Sequence, residues 1–392
     1  MTRLCAGLVL VSFLIAWPAT AIVRAVSNRL RAHDSAPVPG QVKFAPRRVP
    51  NTGGVAIFLA VVAPIVAGLA AVSGLDTQGH WLRERSFLPA DVHEHVAGIQ
   101  QQSPLALLLV GCLALLHMLG LIDDRRPLGP WIKLVVMAVP AVCVAAAHQV
   151  VPSIADTRLL TFLDAHVGGA WLSIAITALW LVVVTNAMNF MDNMDGLAGG
   201  VAAVAGGLFL AGTLLSPQPQ WFVAACLALL VGACLGFLVF NWPRPGGASI
   251  FMGDGGSLVV GFLLAFLTVR TTYVAPAEPG EFSSHWYAVL TPLVVLAVPL
   301  YDFTSVTLIR LSQGRSPFVG DLQHLSHRLV NRGLSKSMAV VVICGFTAVT
   351  GMSAIFLREL SPGYALLVGV QVAFMLVVLA IFEYAASRPR ES

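Results

Sequence analysis

Long apolar runs alternate with short polar breaks along almost the whole chain. Eleven runs come close to or exceed the ~20 residues a helix needs to cross a bilayer. They lie at 4–26, 53–73, 104–122, 131–150, 171–190, 196–215, 221–240, 256–275, 287–309, 337–357 and 363–385. Gly and Pro interrupt several of them, which membrane helices tolerate. The pattern predicts an all-α polytopic membrane protein with about eleven transmembrane helices, forming a single integral membrane domain over residues 1–392. Composition agrees with this. Of 392 residues, 57% are hydrophobic and 11% charged, against about 25% charged in a soluble domain. The surplus apolar surface has to face lipid.

Charge adds an orientation. One basic residue, Arg3, precedes the first run, whereas Arg24, Arg29, Arg31, Lys43, Arg47 and Arg48 follow it. Ala19-Thr20-Ala21 resembles a signal-peptide cleavage site, but this bias favours a retained first helix with its N-terminus outside. Alternation then leaves Arg3, Arg83, Arg85, Arg158, Arg270 and Arg358 as the only outer positives among 23 Lys and Arg. The positive-inside rule is thereby satisfied for a plasma (inner) membrane protein with a cytoplasmic C-terminus. A net charge of +4 without a basic tract interleaved with aromatics argues against nucleic acid. The six cysteines all lie in apolar runs and make no C-x-x-C pair, so they read as small buried hydrophobes.

Five polar clusters fall on the inner face of this topology, although none was used to choose it. They are Asp123-Asp124, Asn186 to Gly196, Phe251 to Asp254, Asp302, and Asp321 to Arg328. A carboxylate beside a span is costly unless it is paired or faces water, so their convergence suggests a site for a cation or a charged substrate. Asp254, in Phe-Met-Gly-Asp-Gly-Gly-Ser, starts a helix. It reads either as a cap or as an oxygen ligand for Mg2+, which takes one or two protein oxygens plus phosphates and water. Asn186, Asn189 and Asp192 have i, i+3 spacing and share one side of a helix end. Asp123 and Asp124 repel unless a cation or proton intervenes, and are either a base or a solvated pair neutralised by Arg125 and Arg126. His324, His327 and Arg328 carry donors suited to phosphate; no Cys or third close ligand supports zinc. Lys43, Arg47 and Arg48 enter a helix through Gly53-Gly54, and serve either phosphate or anionic lipid. Carboxylates for Mg2+, basic groups for phosphates and adjacent spans for a lipid together fit phosphoryl transfer onto a lipid acceptor. No Walker A or kinase glycine loop is present.

The same residues resemble a known family, the polyprenyl-phosphate N-acetylhexosamine-1-phosphate transferases, in the superfamily that also contains the MurNAc-pentapeptide translocase. The resemblance runs in order over a core of about 48–332. It rests on Val-Pro-Asn-Thr-Gly-Gly at 49–54, Gly-Leu-Ile-Asp-Asp at 120–124 with Lys133-Leu134, Asn-Ala-Met-Asn-Phe-Met-Asp-Asn-Met-Asp-Gly-Leu-Ala at 186–198, Phe-Met-Gly-Asp-Gly-Gly-Ser at 251–257, Pro-Leu-Tyr-Asp at 299–302 and His-Leu-Ser-His-Arg-Leu at 324–329. It implies transfer of GlcNAc-1-phosphate, or another N-acetylhexosamine-1-phosphate, from a UDP-sugar to undecaprenyl phosphate with release of UMP. It further implies Mg2+, with Mn2+ as a substitute, on Asp254 and Asn189. Asp123 and Asp124 would activate or position the lipid phosphate. His324, His327 and Arg328 would hold the donor pyrophosphate and sugar. Arg48, Asn186, Asp192, Asp195 and Phe251 would bind substrate, Phe251 near the uracil. The implied partners are the UDP-N-acetylhexosamine donor and the lipid acceptor, with a homodimer as an admissible assembly. The product would serve a cell-envelope polysaccharide.

Four departures bear on the donor sugar. Asn193 stands where the family usually has Gly, Ser326 where many members have His, and Phe303 where Thr is common. The stretch 241–251 is longer, with Pro245-Gly246-Gly247 inserted. The His-x-Ser-His-Arg pattern resembles the UDP-GlcNAc branch. Two alternatives stay open: the same reaction with UDP-MurNAc-pentapeptide or another UDP-aminosugar, and a secondary transporter. Transporters keep their acids near the midplane, whereas these sit at the inner ends. Direct attack by the lipid phosphate and a covalent aspartyl intermediate both remain admissible.

Overall fold

The computed structural model of the protein describes residues 2–30, 49–73, 96–216, 219–272, 286–317, 322–355, 357 and 360–385. Its first eight long helices are α1 (Thr2–Arg29), α2 (Gly54–Ser73), α3 (Val96–Arg125), α4 (Pro130–Val150), α5 (Trp171–Met191), α6 (Leu197–Leu215), α7 (Trp221–Asn241) and α8 (Asp254–Thr272). Three shorter helices follow: α9 (Leu290–Val295), α10 (Ala297–Ser312) and α11 (Leu325–Asn331). The chain closes with α12 (Lys336–Ala354) and α13 (Pro362–Ala385).

Ten helices are long and apolar enough to cross a membrane among the described residues. The ninth expected span, 287–309, is broken instead at Leu296, where the backbone turns to φ −95° and ψ 15° between α9 and α10. Proline chemistry explains the break. Pro299 has no N–H to give to the carbonyl of Val295, four residues back, and its ring crowds that turn. Packing heals part of the gap, since Leu296 N donates to Pro292 O at 2.9 Å.

The eighth span, α8, runs through the middle of the bundle. Leu258, Val259, Val260, Phe262, Leu263, Leu264, Ala265, Phe266 and Leu267 are all buried. An all-round apolar helix of this kind belongs inside a bundle, and α5, α3 and α2 pack around it. α1 and α13 carry many exposed large apolar side chains, among them Leu10, Leu14, Trp17, Phe374 and Phe382, as lipid-facing helices do. The first turn of α8 is gripped especially closely. A Cβ at Gly120 would meet the backbone of Asp254 and Gly255, and one at Gly54 that of Gly255 and Gly256. Glycine at these two positions lets α3 and α2 reach the start of α8 backbone to backbone.

Two of the expected outer positives lie at the far end of the bundle from Asp254. Arg158 is buried and its guanidinium pairs with Asp156 at 2.7 Å and with Asp164. Arg270, 16 residues along α8 from Asp254 or ~24 Å at helical rise, donates to Asp156 O at 2.7 Å. These charges are absorbed by local partners.

Candidate active site

The start of α8 is held by a carboxylate from another helix. Asp124, at the end of α3, accepts from Asp254 N at 3.1 Å and Gly255 N at 3.4 Å. These are orphan donors of a helix N-terminus, and a remote carboxylate satisfies them as a cap would. Asn51 adds a third bond to Asp124, at 3.1 Å. The segment carrying Asn51 runs beside Phe251-Met252. Phe251 N donates to Pro50 O at 2.8 Å, while Gly53 N and Gly54 N donate to Phe251 O and Met252 O, both at 2.9 Å. Gly253 turns the chain into α8 with φ +71°, and a Cβ there would meet Asn51 and Asp124 at 2.6 Å. Only glycine fits both the backbone angle and the space.

Asp254 faces the polar centre. Its Oδ2 pairs with Lys133 of α4, whose ammonium also reaches Asp123 Oδ2 at 3.3 Å. Its Oδ1 accepts from Asn189 Nδ2 at 2.8 Å, and the same amide nitrogen reaches Ser257 Oγ at 2.8 Å. Asp123 is further held by Leu128 N at 2.7 Å. Asp192, just beyond the end of α5, completes the group. Burial first, then the neighbouring Asp254 and Asp124 carboxylates, push its carboxyl well above the usual range. So much negative charge in one place fits a hard divalent cation that takes one or two protein oxygens and completes its shell with phosphate and water. No group of three His, Cys, Asp or Glu side chains converges as a metal cage among the described residues. Asn189 meets Asp254 through its amide nitrogen, so its carbonyl oxygen is the atom it would offer a metal.

The turn after α5 is pinned to the loop before α8. Asp195 accepts from Ala248 N at 2.8 Å, Gly196 N donates to Asn241 Oδ1 at 2.8 Å, and Asn241 Nδ2 donates to Ile250 O at 2.9 Å. The inserted Pro245-Gly246-Gly247 stretch closes on itself through Gly247 N to Arg244 O at 2.7 Å. Asn186 is tied to its own helix. Its amide donates to Val182 O at 2.9 Å, one turn back in its own helix, the local partner nearest to a polar side chain inside a span.

The histidine loop is carried by Asp302, which is 1% exposed. Asp302 Oδ2 bonds His324 Nδ1 at 2.8 Å and Oδ1 accepts from Leu325 N at 2.6 Å. One carboxylate thus orients the histidine and caps the first turn of α11. Phe190, at the end of α5, packs edge-on to His324 with 5.5 Å between centroids, and Arg310 stacks over Phe190 at 5.3 Å. His327 is buried beside His324. Arg328 donates through Nε to Glu383 Oε2 of α13 at 3.1 Å, through a terminal nitrogen to Ser305 Oγ at 3.0 Å, and to Gln323 O.

Two of the departures touch each other. Ser326 Oγ bonds Asn193 Oδ1, and Asn193 Nδ2 bonds Phe190 O at 2.5 Å. The α5–α6 turn and the histidine loop are joined by this pair. Asn193→Ala and Ser326→Ala are each expected to lower the melting temperature in detergent. The double variant should lose less than their sum, by a coupling of about 1 kcal/mol. Strict additivity would show that the bond contributes nothing.

Asp123, Asp124, Asn189, Asp192 and Asp254 therefore meet at the start of α8, and His324, His327 and Arg328 share the loop that Ser326 joins to Asn193 of the Asp192 turn. Phe251 enters through its backbone, and Asp195 supports the 248 loop. Arg48 and Asp321 lie outside the described residues. Sequence reading did not single out Asn51, Asn241, Ser257 or Glu383 as site residues. Asn51 and Ser257 lay inside quoted motifs at 49–54 and 251–257, while Asn241 carried no pattern; Glu383 carried a signal, as a carboxylate inside the last apolar run.

Comparison with known proteins bears on the same residues. The glycosyl transferase family 4 profile matches residues 106–272, which include most of α3 and all of α5 and α8. A probable undecaprenyl-phosphate N-acetylglucosaminyl 1-phosphate transferase of Bacillus subtilis is 26% identical over 95% of this chain and 88% of its own. The decaprenyl-phosphate N-acetylglucosaminephosphotransferase of Mycobacterium leprae is 30% identical over 95% of this chain and 89% of its own. The undecaprenyl-phosphate alpha-N-acetylglucosaminyl 1-phosphate transferase of Escherichia coli K12 is 27% identical over 72% of each. With relatives of this identity aligned along nearly its whole length, and with the family's motifs meeting at one end of the bundle, the chain belongs to glycosyl transferase family 4.

Proposed function

We propose that the protein transfers N-acetylglucosamine-1-phosphate from UDP-GlcNAc to a polyprenyl phosphate, undecaprenyl phosphate by preference, and releases UMP. The observation that carries this reading is the meeting of Asp123, Asp124, Lys133, Asn189 and Asp254 at one end of the bundle, where spans provide the lipid approach. The names of the relatives support donor and acceptor class. A transporter has no support from them, nor from acids gathered at helix ends. The charge bias of the loops supports a cytoplasmic site in the plasma membrane.

In this reading Asp254, with Asp192 and the Asn189 carbonyl, would hold Mg2+. When bound, the metal would offset charge on the donor diphosphate and on departing UMP. The remaining work falls to the chain. Lys133 supplies a fixed positive charge between Asp123 and Asp254, so that two anions can approach each other. Asp302 keeps His324 in one orientation, with its Nδ1 occupied and Nε2 left to face substrate. Asp124 is bound to backbone N–H groups by both oxygens, which makes it a weak nucleophile. This favours direct in-line attack by the lipid phosphate, positioned rather than activated by protein.

The test is UMP release by purified protein given undecaprenyl phosphate, Mg2+ and UDP-GlcNAc. Release that stops on chelation and returns with Mg2+ is the expected result. A folded sample inactive with UDP-GlcNAc but active with UDP-MurNAc-pentapeptide would change the donor. Inactivity with all UDP-aminosugars would reject the reaction.

A further inference from the structure

We infer that Glu383, on the last membrane helix and outside the motif-bearing core, is a positioning residue of the active site that orients Arg328 towards the donor phosphates. The inference rests on the reaction proposed above.

Glu383 is 9% exposed and lies two residues from the end of α13. A carboxylate there is costly without partners, and Glu383 is bonded from the histidine-loop side. Arg328 Nε donates to its Oε2 at 3.1 Å, and Tyr301 Oη donates to the same oxygen at 3.0 Å. Arg332 donates to the backbone carbonyl of Glu383, one of the orphan acceptors at a helix C-terminus. Three groups from α10 and α11 and the residue just after it thus seize one residue of α13.

The geometry at Arg328 shows what this does. A guanidinium has five N–H donors in a rigid fork. Glu383 takes the single Nε–H, while Ser305 Oγ and Gln323 O take one N–H on each terminal nitrogen. One N–H on each terminal nitrogen then remains outside these three bonds. Bidentate recognition of a phosphate takes two adjacent N–H groups of a guanidinium. Glu383 sets the plane of the fork from behind, and Tyr301 fixes Glu383. An arginine on so short a helix without this support would sample many rotamers, and phosphate binding would have to order it.

The experiment uses full-length protein with undecaprenyl phosphate, UDP-GlcNAc and Mg2+, following UMP release with melting curves alongside. Glu383→Gln keeps the shape and removes the charge. The expected result is a rise of about tenfold in KM for UDP-GlcNAc, with kcat and KM for the lipid within about twofold. Glu383→Asp should recover part of the loss. A KM for the donor that is unchanged or lowered overturns the inference, whatever the melting temperature does. If Glu383→Gln does not fold, Tyr301→Phe, which removes one hydrogen bond from the Glu383 carboxylate, decides instead. Its donor KM should rise about two- to threefold, and an unchanged value overturns the inference. A folded wild type that releases no UMP rejects the reaction itself and this inference with it, which separates that failure from the others.

Discussion

Asp254→Asn is expected to reduce UMP release by roughly 10³-fold, the scale of losing one electrostatic contact made to the reacting charges. Asp254 is the point where three helices meet: α8 through its own backbone, α4 through Lys133 and α5 through Asn189. Asparagine has nearly the same shape and can still accept from Asn189. It cannot carry the negative charge that Lys133 pairs with, nor bind a hard cation with comparable strength. The defect should therefore appear in catalysis and in the Mg2+ concentration needed, and exceed what the fall in melting temperature explains, because Lys133 keeps Asp123 as a partner. Steady-state UMP release across a Mg2+ series, with detergent melting curves, checks this. A variant with near wild-type turnover would remove Asp254 from the chemistry and leave it as the first residue of a helix.

Lys133→Met is expected to damage stability and activity together. The ammonium is shared by Asp123 and Asp254, with side chains only 17–22% exposed. Removing it leaves two carboxylates facing each other in a half-buried space that already holds Asp124 and Asp192. Breaking a buried pair by deleting one partner costs about 3–5 kcal/mol; the residual exposure of this pair puts the expectation near the lower value. The melting temperature should fall by several degrees, and UMP release per folded molecule by about 10²-fold. Lys133→Arg should keep most of the stability, because the charge is kept. Equal losses in the Arg and Met variants would mean that shape matters here and charge does not.

Lys133 also marks the limit of what the sequence made legible. Its place in the motif Lys133-Leu134 was visible, yet among several basic residues near Asp123-Asp124 nothing along the chain distinguished it from Arg125 and Arg126. Both arginines are seven or eight residues closer in sequence to the aspartates. The structure chooses Lys133 because α4 folds back beside α3 after the Pro-Gly turn, and so brings Lys133 between Asp123 and Asp254. Asp124 illustrates a second limit. As one of two adjacent acids it read like Asp123, but the two point to different neighbours. Asp123 faces Lys133, whereas Asp124 holds the backbone start of a helix that begins 130 residues later.

The spans themselves were legible because the bilayer imposes a length and a polarity that no partner residue can waive. The exception proves to be physical as well: the run at 287–309 is apolar enough to span, but its prolines divide it at Leu296. The site was legible as a list, since acids and amides beside apolar spans are too costly to lack a role. Their division of labour was not. Asn186 bonds its own helix, Asp195 supports a loop, and Asp302 serves His324. Glu383, far from every motif, holds Arg328. Hydrophobic length and the cost of charge in lipid are properties of single segments, so the sequence by itself determined most of the spans and singled out the polar clusters beside them. A hydrogen bond between residues over a hundred positions apart depends on how α3, α4, α5, α8 and α13 pack. The tertiary structure alone therefore decided which acid faces Lys133, which caps a helix and which orients an arginine.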